Sequence, residues 1–451
     1  MKDLLLSYYG DDFTGSTDVM EALTFSGLRT VLFLDPPTES QVVSFGKVRA
    51  IGVAGRTRSM TPEAAEDELR PVFEAFDRLD TPLVHYKTCS TFDSSSEIGS
   101  IGRAIDVGCD VFDPAYVPLV VGAPILRRYC AFGNLFASSG LDGDVFRLDR
   151  HPTMSRHPTT PMDEADIRLH LAKQTDKSIG LVDLAQLDDA PVRLDSLIDQ
   201  GCQVILFDTV SEVDLAKVGK AIWENRARGR YVVGSSGAEY ALVAYWRETG
   251  EVGENELPHV EPVDQIAVVS GSCSPVTAGQ ITWAEETGFE LVALGTERLV
   301  GDQAAAEVSR AVETACSAIA QGKSVIAHSG RGPDDPRIGD TLEVLSKRGW
   351  SGDVARSKTA ELIGSALGDL LRQIIERTGL TRAATTGGDT SYYVARQMGV
   401  TALEAIGPMA PGSPLCRVHA TPGTKIDGCE VTFKGGQVGK VSFFGDVLSG
   451  G

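Results

Sequence analysis

YYGDDFTGSTDVME, residues 8–21, sets two adjacent carboxylates and a Thr-Gly-Ser run between an apolar strand and an amphipathic helix. A strand, a polar loop and a helix make the first half of a crossover unit, and the same grammar recurs in both directions from this stretch. LLLSYY, DVMEALTFSG, RTVLFL, VRAIGVA, PEAAEDELRPVFEAFDRL and PLVHYK alternate strand-like with helix-like or turn-rich patterns, and VPLVVGA, SIGLVDL, CQVILFD and RYVVGSS continue the series. That alternation predicts an α/β protein with a mostly parallel sheet.

A chain of 451 residues exceeds what one hydrophobic core usually organises, so two domains of roughly 200 residues each are expected. At GEVGENELPHVEPVDQ, residues 250–265, apolar periodicity gives way to an acidic stretch bearing Pro and Gly, which reads as a linker. The expected division is an N-terminal domain over 1–249, the linker, and a C-terminal domain over 266–451. Each is expected to be a mostly parallel sheet with helices on both faces, and the active site is expected in the interdomain crevice. The second domain opens with IAVVSGSCSPVTAGQITWAEETG. In TAELIGSALGDLLRQIIERTG, Leu362, Ile363, Ala366, Leu367, Leu370, Leu371, Ile374 and Ile375 make one broad apolar stripe, a packing face. The tail after Cys416 reads as short strands joined by Gly-rich turns, an antiparallel edge.

A net charge of -20 and a pI near 4.8, with no basic stripe, argue against a nucleic-acid partner. The opening MKDLLLSYYGDD carries an apolar run too short for a signal peptide, and no stretch approaches about 18 consecutive apolar residues, so a cytoplasmic protein without a membrane partner is expected. Eight cysteines are scattered without a CxxC pair, which suggests reduced thiols rather than a zinc site or a disulfide framework. A symmetric homodimer is the default assembly, although nothing in the chain identifies an interface.

Chemistry concentrates in loops. Ser270-Gly271-Ser272-Cys273-Ser274, Thr386-Gly387-Gly388-Asp389-Thr390 and Lys434-Gly435-Gly436-Gln437-Val438-Gly439 bring glycines that let backbone N–H groups approach an anion, and the first two precede helices. Each alone is a turn and a helix cap; three in one domain, with Asp389 for Mg²⁺ and Lys434 for a phosphate, point to a nucleotide. None is a P-loop or a dinucleotide fingerprint. In the first domain Asp11 and Asp12 sit where open α/β sheets present ligands, and both cannot cap one helix. Acceptor-only side chains suit a polyhydroxyl ligand, and one of the two could act as base toward an attacking hydroxyl. Arg56, Arg58 and Lys87 add cations, and Ser90, Thr91, Asp93, Ser94 and Ser95 add hydroxyls and a carboxylate, a set that fits a small hydroxy-carboxylate. His151 and His157 bracket a Pro-rich segment that cannot be a helix, so they read as structural or substrate-loop residues, and Asp163 and Glu164 as the start of the following helix.

YGDDFTG (9–15), RSMTPEAA (58–65), KTCSTFDSS (87–95), SGSCSPVTAGQI (270–281), TGGDTS (386–391) and PGSPL (411–415) resemble, in order and over nearly the whole chain, the four-carbon acid sugar kinases. The resemblance implies an N-terminal acid-sugar domain, a C-terminal nucleotide domain, and Mg²⁺- and ATP-dependent phosphorylation of a hydroxyl of threonate, erythronate, a 3-oxo-tetronate or a related sugar acid. Carried over by position, Asp11, Asp12, Arg58, Lys87, Asp93 and Ser94 line the sugar site. Ser270, Ser272, Ser274, Gly387, Gly388, Asp389, Thr390, Gly412, Lys434, Gly435 and Gly436 serve ATP, and Asp12 is the candidate acceptor of the hydroxyl proton. Many members carry Lys-Ile-Asp-Ser-Thr-Leu-Arg-Gly in the third block, where this chain has Lys87 to Ser95 without that arginine, so its acid sugar is expected to differ. The last block also departs, reading Lys-Gly-Gly-Gln-Val-Gly. A non-catalytic acid-sugar sensor is the alternative reading, and an isomerase or aldolase acting on a phosphorylated sugar is a third.

Overall fold

The structure, a computed structural model, describes residues 3–140, 143–157, 159–253, 255 and 257–451, apart from the side chains of Asp353 and Asp389. Two compact units divide the chain: Met1–Thr30 with Asp35–Asn255, and Val31–Leu34 with Glu256–Gly451.

The N-terminal sequence runs β1 (Leu6–Gly10), α1 (Phe13–Phe25), β2 (Thr30–Phe33), α2 (Glu39–Ser44), β3 (Ala50–Ala54), α3 (Pro62–Leu79), β4 (Leu83–Lys87), α4 (Ile101–Phe112), β5 (Val117–Val120), β6 (Arg128–Ala131), β7 (Asn134–Ser138), β8 (Val145–Arg147), α5 (Ile167–Leu171), β9 (Ile179–Val182), α6 (Ala190–Asp199), β10 (Val204–Phe207), α7 (Glu212–Glu224), β11 (Tyr231–Gly234) and α8 (Ser236–Glu248). In the first unit the strands lie in the order β3-β1-β4-β11-β5-β10-β9, all parallel. Burial of both faces explains why these strands read as continuous apolar runs. On one face Phe73 of α3 packs edge-on against Tyr9, Tyr86 and Tyr231. On the other, Tyr8 donates to the Ser16 carbonyl of α1, and His85 meets Glu239 of α8. β6, β7 and β8 form a separate antiparallel sheet that the periodicity does not announce. Asp166, not Asp163 or Glu164, caps α5.

The second unit runs β12 (Ala267–Ser270), α9 (Pro275–Glu286), β13 (Glu290–Ala293), α10 (Thr296–Leu299), α11 (Ala304–Ala320), β14 (Val325–His328), α12 (Pro336–Lys347), α13 (Gly352–Thr378), β15 (Arg382–Thr386), α14 (Gly388–Met398), β16 (Ala402–Ala410), β17 (Ser413–His419), β18 (Glu430–Lys434) and α15 (Phe443–Ser449). Its strand order is β13-β14-β12-β15-β18-β17-β16-β2. β18 pairs parallel with β15 and antiparallel with β17, so the tail enters the sheet interior instead of forming only an edge. β2 pairs antiparallel with β16, and this is why Val31–Leu34 groups with this unit although its sequence neighbours do not. Leu367, Leu370, Leu371, Ile374 and Ile375 of the apolar stripe on α13 are buried. Gly364 and Gly368 let α13 close on α14, since a Cβ at either would come within 2.7 Å of the Tyr393 or Gln397 Cβ. Among the described residues no helix is long and apolar enough to cross a membrane, and the eight cysteines are free thiols.

α7 and α8 pack through Gly219, where a Cβ would stand 1.9 Å from the Ala241 carbonyl oxygen. Gly219→Ala is expected to lower stability by about 2 kcal/mol through overpacking, against the helix-propensity gain of about 1 kcal/mol that alanine brings elsewhere. Thermal unfolding checks this: a lower Tm is expected, and an unchanged or higher Tm contradicts the packing.

Candidate functional site

In the first unit the chain leaves β1, returns as β3 on one side and then as β4 on the other, so the switch point falls at β1. Ligands of open α/β sheets bind at the carboxyl ends of strands at such a point. The register brings Gly10, Ala54, Lys87, Gly234 and Val120 level. Backbone bonds then knit the loops that follow: Asp11 N–H donates to the Lys87 carbonyl (2.9 Å), Thr88 N–H to that of Gly234 (2.7 Å), and Arg58 N–H to that of Asp11 (3.0 Å).

Arg58 binds both aspartates. Its Nη2 donates to Asp11 Oδ1 (2.6 Å) and Asp12 Oδ1 (2.9 Å), and its Nε to Asp11 Oδ2 (3.2 Å). The two carboxylates divide the work. Asp12 caps α1, accepting from Gly15 N–H at 2.8 Å and from the Thr14 hydroxyl at 2.7 Å, while Asp11 takes no part in the cap. The Asp11 side chain is 4% exposed and that of Asp12 25%. Burial raises the Asp11 pKa against the pull of Arg58. At Asp12 burial is outweighed by Arg58, the Thr14 hydroxyl and Lys87, which hold the carboxyl below its usual range.

Lys87 Nζ lies 3.7 Å from Asp18 Oδ2, which accepts from the Ser236 hydroxyl at 2.6 Å. Burial alone would lower the Lys87 pKa, but Asp18 and Glu239 overcome it and keep the ammonium charged. Beneath it His85 Nδ1 stands 3.2 Å from the Val232 carbonyl, which requires Nδ1–H, and its Nε2 stands 3.5 Å from Glu239 Oε1. His85 Nε2 and both Glu239 oxygens are buried without a hydrogen-bond partner among the described residues. Sequence reasoning missed Asp18, His85, Ser236 and Glu239. The available signal was that Ser236 and Glu239 follow strand RYVVG as Asp12 and Asp18 follow LSYYG.

In the third block Asp93 accepts from the Thr91 hydroxyl. Phe92 holds φ +57 with its ring buried beside His170, and non-glycine residues in that region gather at ligand loops. Ser94 departs from its expected place among the substrate hydroxyls: it is buried, and its oxygen meets the Phe92 carbonyl, His170 and Gln174. Arg56 pairs with Glu68 at 3.4 Å. His151 and His157 accept backbone N–H groups of their own turns, from Thr153 and Met154 and from Thr160.

In the second unit Ser270, Thr386 and Lys434 end level on β12, β15 and β18, so their loops share one edge. Gly271 N–H donates to the Thr386 carbonyl and Gly387 N–H to that of Lys434. The glycines are required by contact. A Cβ at Gly271 would lie 2.5 Å from Thr390 Oγ1, and one at Gly436 2.6 Å from Ser272 Oγ. Gly387 adopts φ +127 against the Gly271 backbone. Ser274 caps α9 and accepts from Val276 N–H; its own N–H donates to Ser272 Oγ. α14 begins at Gly388 without a side-chain cap, and the first N–H groups of a helix lack intrahelical acceptors, which makes an anion cradle. Ser270 Oγ is buried without a partner among the described residues. Gly412 turns the β16–β17 hairpin at φ +74. The side chain of Asp389 lies outside the described residues.

Lys434 departs from the expected phosphate contact. It is buried, its Nζ donates to the carbonyls of Gly435 (2.8 Å) and Val438 (3.1 Å), and burial lowers its pKa to about 8. It holds its own loop. Thr277 and Gln280, missed by sequence reasoning, hold the same loop from α9: Thr277 Oγ1 donates to the Gly436 carbonyl, and Gln280 Nε2 to those of Val438, Gly439 and Lys440. A fourth loop follows β14, where Arg337 binds Asp335 and stands 3.2 Å from His328 Nδ1.

A carboxylate and cation site on one doubly wound unit, and a glycine-loop anion cradle on another, define a two-domain α/β protein that takes a polar small molecule and a nucleotide. Residues 6–242 match the family model described as a sugar-binding N-terminal domain, and residues 267–444 match that of a nucleotide-binding C-terminal domain. The chain belongs to the four-carbon acid sugar kinase family, whose characterised members transfer a phosphoryl group to a hydroxyl. It is 46% identical to a 3-oxo-isoapionate kinase of Paraburkholderia graminis, over 99% of this chain and 94% of that one. It is 30% identical to a 3-oxo-tetronate kinase of Methylobacterium radiotolerans, over 99% of both. The crystal structure of a Haemophilus influenzae protein shares the fold with a TM-score of 0.71 at 24% identity, covering 97% of this chain and 98% of that one.

Burial holds the imidazoles of His170 and His328 at a pKa of about 4, with the charges of Lys173 and Arg337 adding to it. The unfolded chain takes up these protons from about pH 6.5 downward, the folded chain only near 4, so stability falls as pH drops through that window. Each ring contributes about 3 kcal/mol over the full range. Urea unfolding between pH 7 and 4.5 is expected to show a shallower pH slope in His328→Asn, and an unchanged slope contradicts the assignment.

Proposed function

We propose that the protein is an ATP-dependent sugar acid kinase whose preferred acceptor is 3-oxo-isoapionate or a close analogue. The observation that carries the substrate is the 46% identity with a 3-oxo-isoapionate kinase along 99% of the chain, and the departure in the third block, where Asp93 stands in place of the common arginine, agrees with a non-tetronate acid.

Phosphoryl transfer is catalysed mainly by positioning and charge stabilisation. Asp11, locked by Arg58 and nearly buried, orients the ligand-binding loops and accepts from substrate hydroxyls through whatever edge remains open. Asp12, the more exposed carboxylate, takes the hydroxyl proton as that oxygen forms its bond to the γ-phosphorus and the bond to the ADP oxygen breaks. Its lowered pKa keeps it ionised and ready to accept at neutral pH. N–H groups of the Gly387 and Gly436 loops bind phosphate oxygens. The oxygen donors of these loops, hydroxyls and carbonyls with the carboxylate of Asp389 in the same stretch, are the hard set that suits Mg²⁺. The ion, when bound with ATP, neutralises phosphate charge.

ADP release with Mg-ATP across 3-oxo-isoapionate, the 3-oxo-tetronates, and D- and L-threonate and erythronate tests this reading. The highest kcat/KM is expected on 3-oxo-isoapionate. Asp12→Asn is expected to lower kcat by about 10²- to 10⁴-fold with little change in KM for ATP. Retained turnover removes Asp12 from the proton-accepting role, and ATP binding without turnover on any acid returns the sensor reading.

A further inference from the structure

We propose that Arg128, on the small antiparallel sheet of the first unit, is the anchor for the substrate carboxylate. The inference rests on the sugar acid reading above and begins with charge. Arg58 is taken by Asp11 and Asp12, and Lys87 faces Asp18 within the influence of Glu239. Asp93 adds a further carboxylate near Arg58. The site as assembled is therefore anionic, and an anionic substrate entering it needs a cation that is not already neutralised.

Arg128 is that cation. Its Nη1 donates only to backbone carbonyls, those of Leu126 (3.1 Å), Arg127 (3.2 Å) and Ser138 (3.4 Å). Its Nε is buried without a partner, and among the described residues it has no ion pair and Nη2 makes no hydrogen bond. Burial accordingly lowers its pKa, where most arginines beside carboxylates are raised. A partly buried guanidinium with no ion-pair partner among the described residues, offset only from a distance by Asp93, is costly unless a ligand completes it.

Its place in the fold is the same sheet edge. Arg128 bridges to Ala123, three residues beyond the end of β5, and Cys130 bridges to Thr209, two residues beyond the end of β10. Asp208 clamps the hairpin tip by accepting from Phe132 N–H (2.5 Å) and Gly133 N–H (2.9 Å). Both Arg128 and Arg58 lie within electrostatic reach of Cys89 and Asp93, so the third-block loop is their common neighbour. A carboxylate on Arg128 would place the hydroxyl-bearing carbons toward Asp11 and Asp12.

The test compares 3-oxo-isoapionate with its primary amide, which keeps shape and hydroxyls but loses the charge, measuring both binding by calorimetry and turnover. Arg128→Gln is expected to weaken the acid by about 30-fold, the loss of a charge-assisted bond, while the amide and ATP change little; Arg128→Lys should recover part of the loss. A purely structural role in holding the hairpin would weaken acid and amide alike, and that result, or an unaltered affinity for the acid, overturns the proposal. Wild-type binding of the acid without ADP release would sink the kinase reading and leave the acid-to-amide ratio to decide the role of Arg128.

Discussion

The bidentate grip of Arg58 on Asp11, extended to Asp12, is the interaction on which the first unit's site depends. Two adjacent carboxylates at a strand end repel each other, and one of them is almost fully buried. Removing one partner from a buried ion pair costs about 3–5 kcal/mol because it leaves a charge uncompensated, so the loops after β1 and β3 are held in one arrangement. The backbone reinforces that hold through the bond from Arg58 N–H to the Asp11 carbonyl. Asp12 is further fixed by capping α1, so helix placement and carboxylate placement are a single event. With Arg58 spent on this task and Lys87 on Asp18, the chemistry of recognition passes to groups that still have capacity.

The second unit solves a different problem with the opposite means. Where the first concentrates charge, the second removes side chains: Gly271, Gly387 and Gly436 each occupy a position where a Cβ would strike a neighbouring loop. The space so cleared is bounded by the uncapped start of α14 and the capped start of α9. Lys434, Thr277 and Gln280 fasten the last loop from below through its carbonyls. That leaves the N–H side of the cradle free to face an anion.

The elements legible in the sequence were those whose signal is local. Asp11, Asp12 and the three glycine loops sit at strand–loop–helix junctions, and each junction is spelled out within about ten residues. Partnerships across the sheet were not legible, because Lys87 comes under the charge of Glu239 only once β11 takes its place beside β4 and carries α8 with it. Ser94 and Lys434 looked like ligand groups by type, yet packing against His170 and against α9 turned them inward. Strand β2 joined the second unit through pairing with β16, a choice that no residue within it announces. The β6–β8 sheet, with Arg128 on it, escaped because its strands are short and half-exposed.

The account's central claim is that acid and nucleotide are recognised by separate sets of residues, with Arg58 organising the first. Calorimetric titration of Arg58→Gln with 3-oxo-isoapionate and, separately, with a non-hydrolysable ATP analogue tests it most directly. The account predicts that binding of the acid is lost while nucleotide affinity stays within about twofold of wild type. Retained binding of the acid, or loss of both ligands from a protein that keeps its circular dichroism, would contradict it.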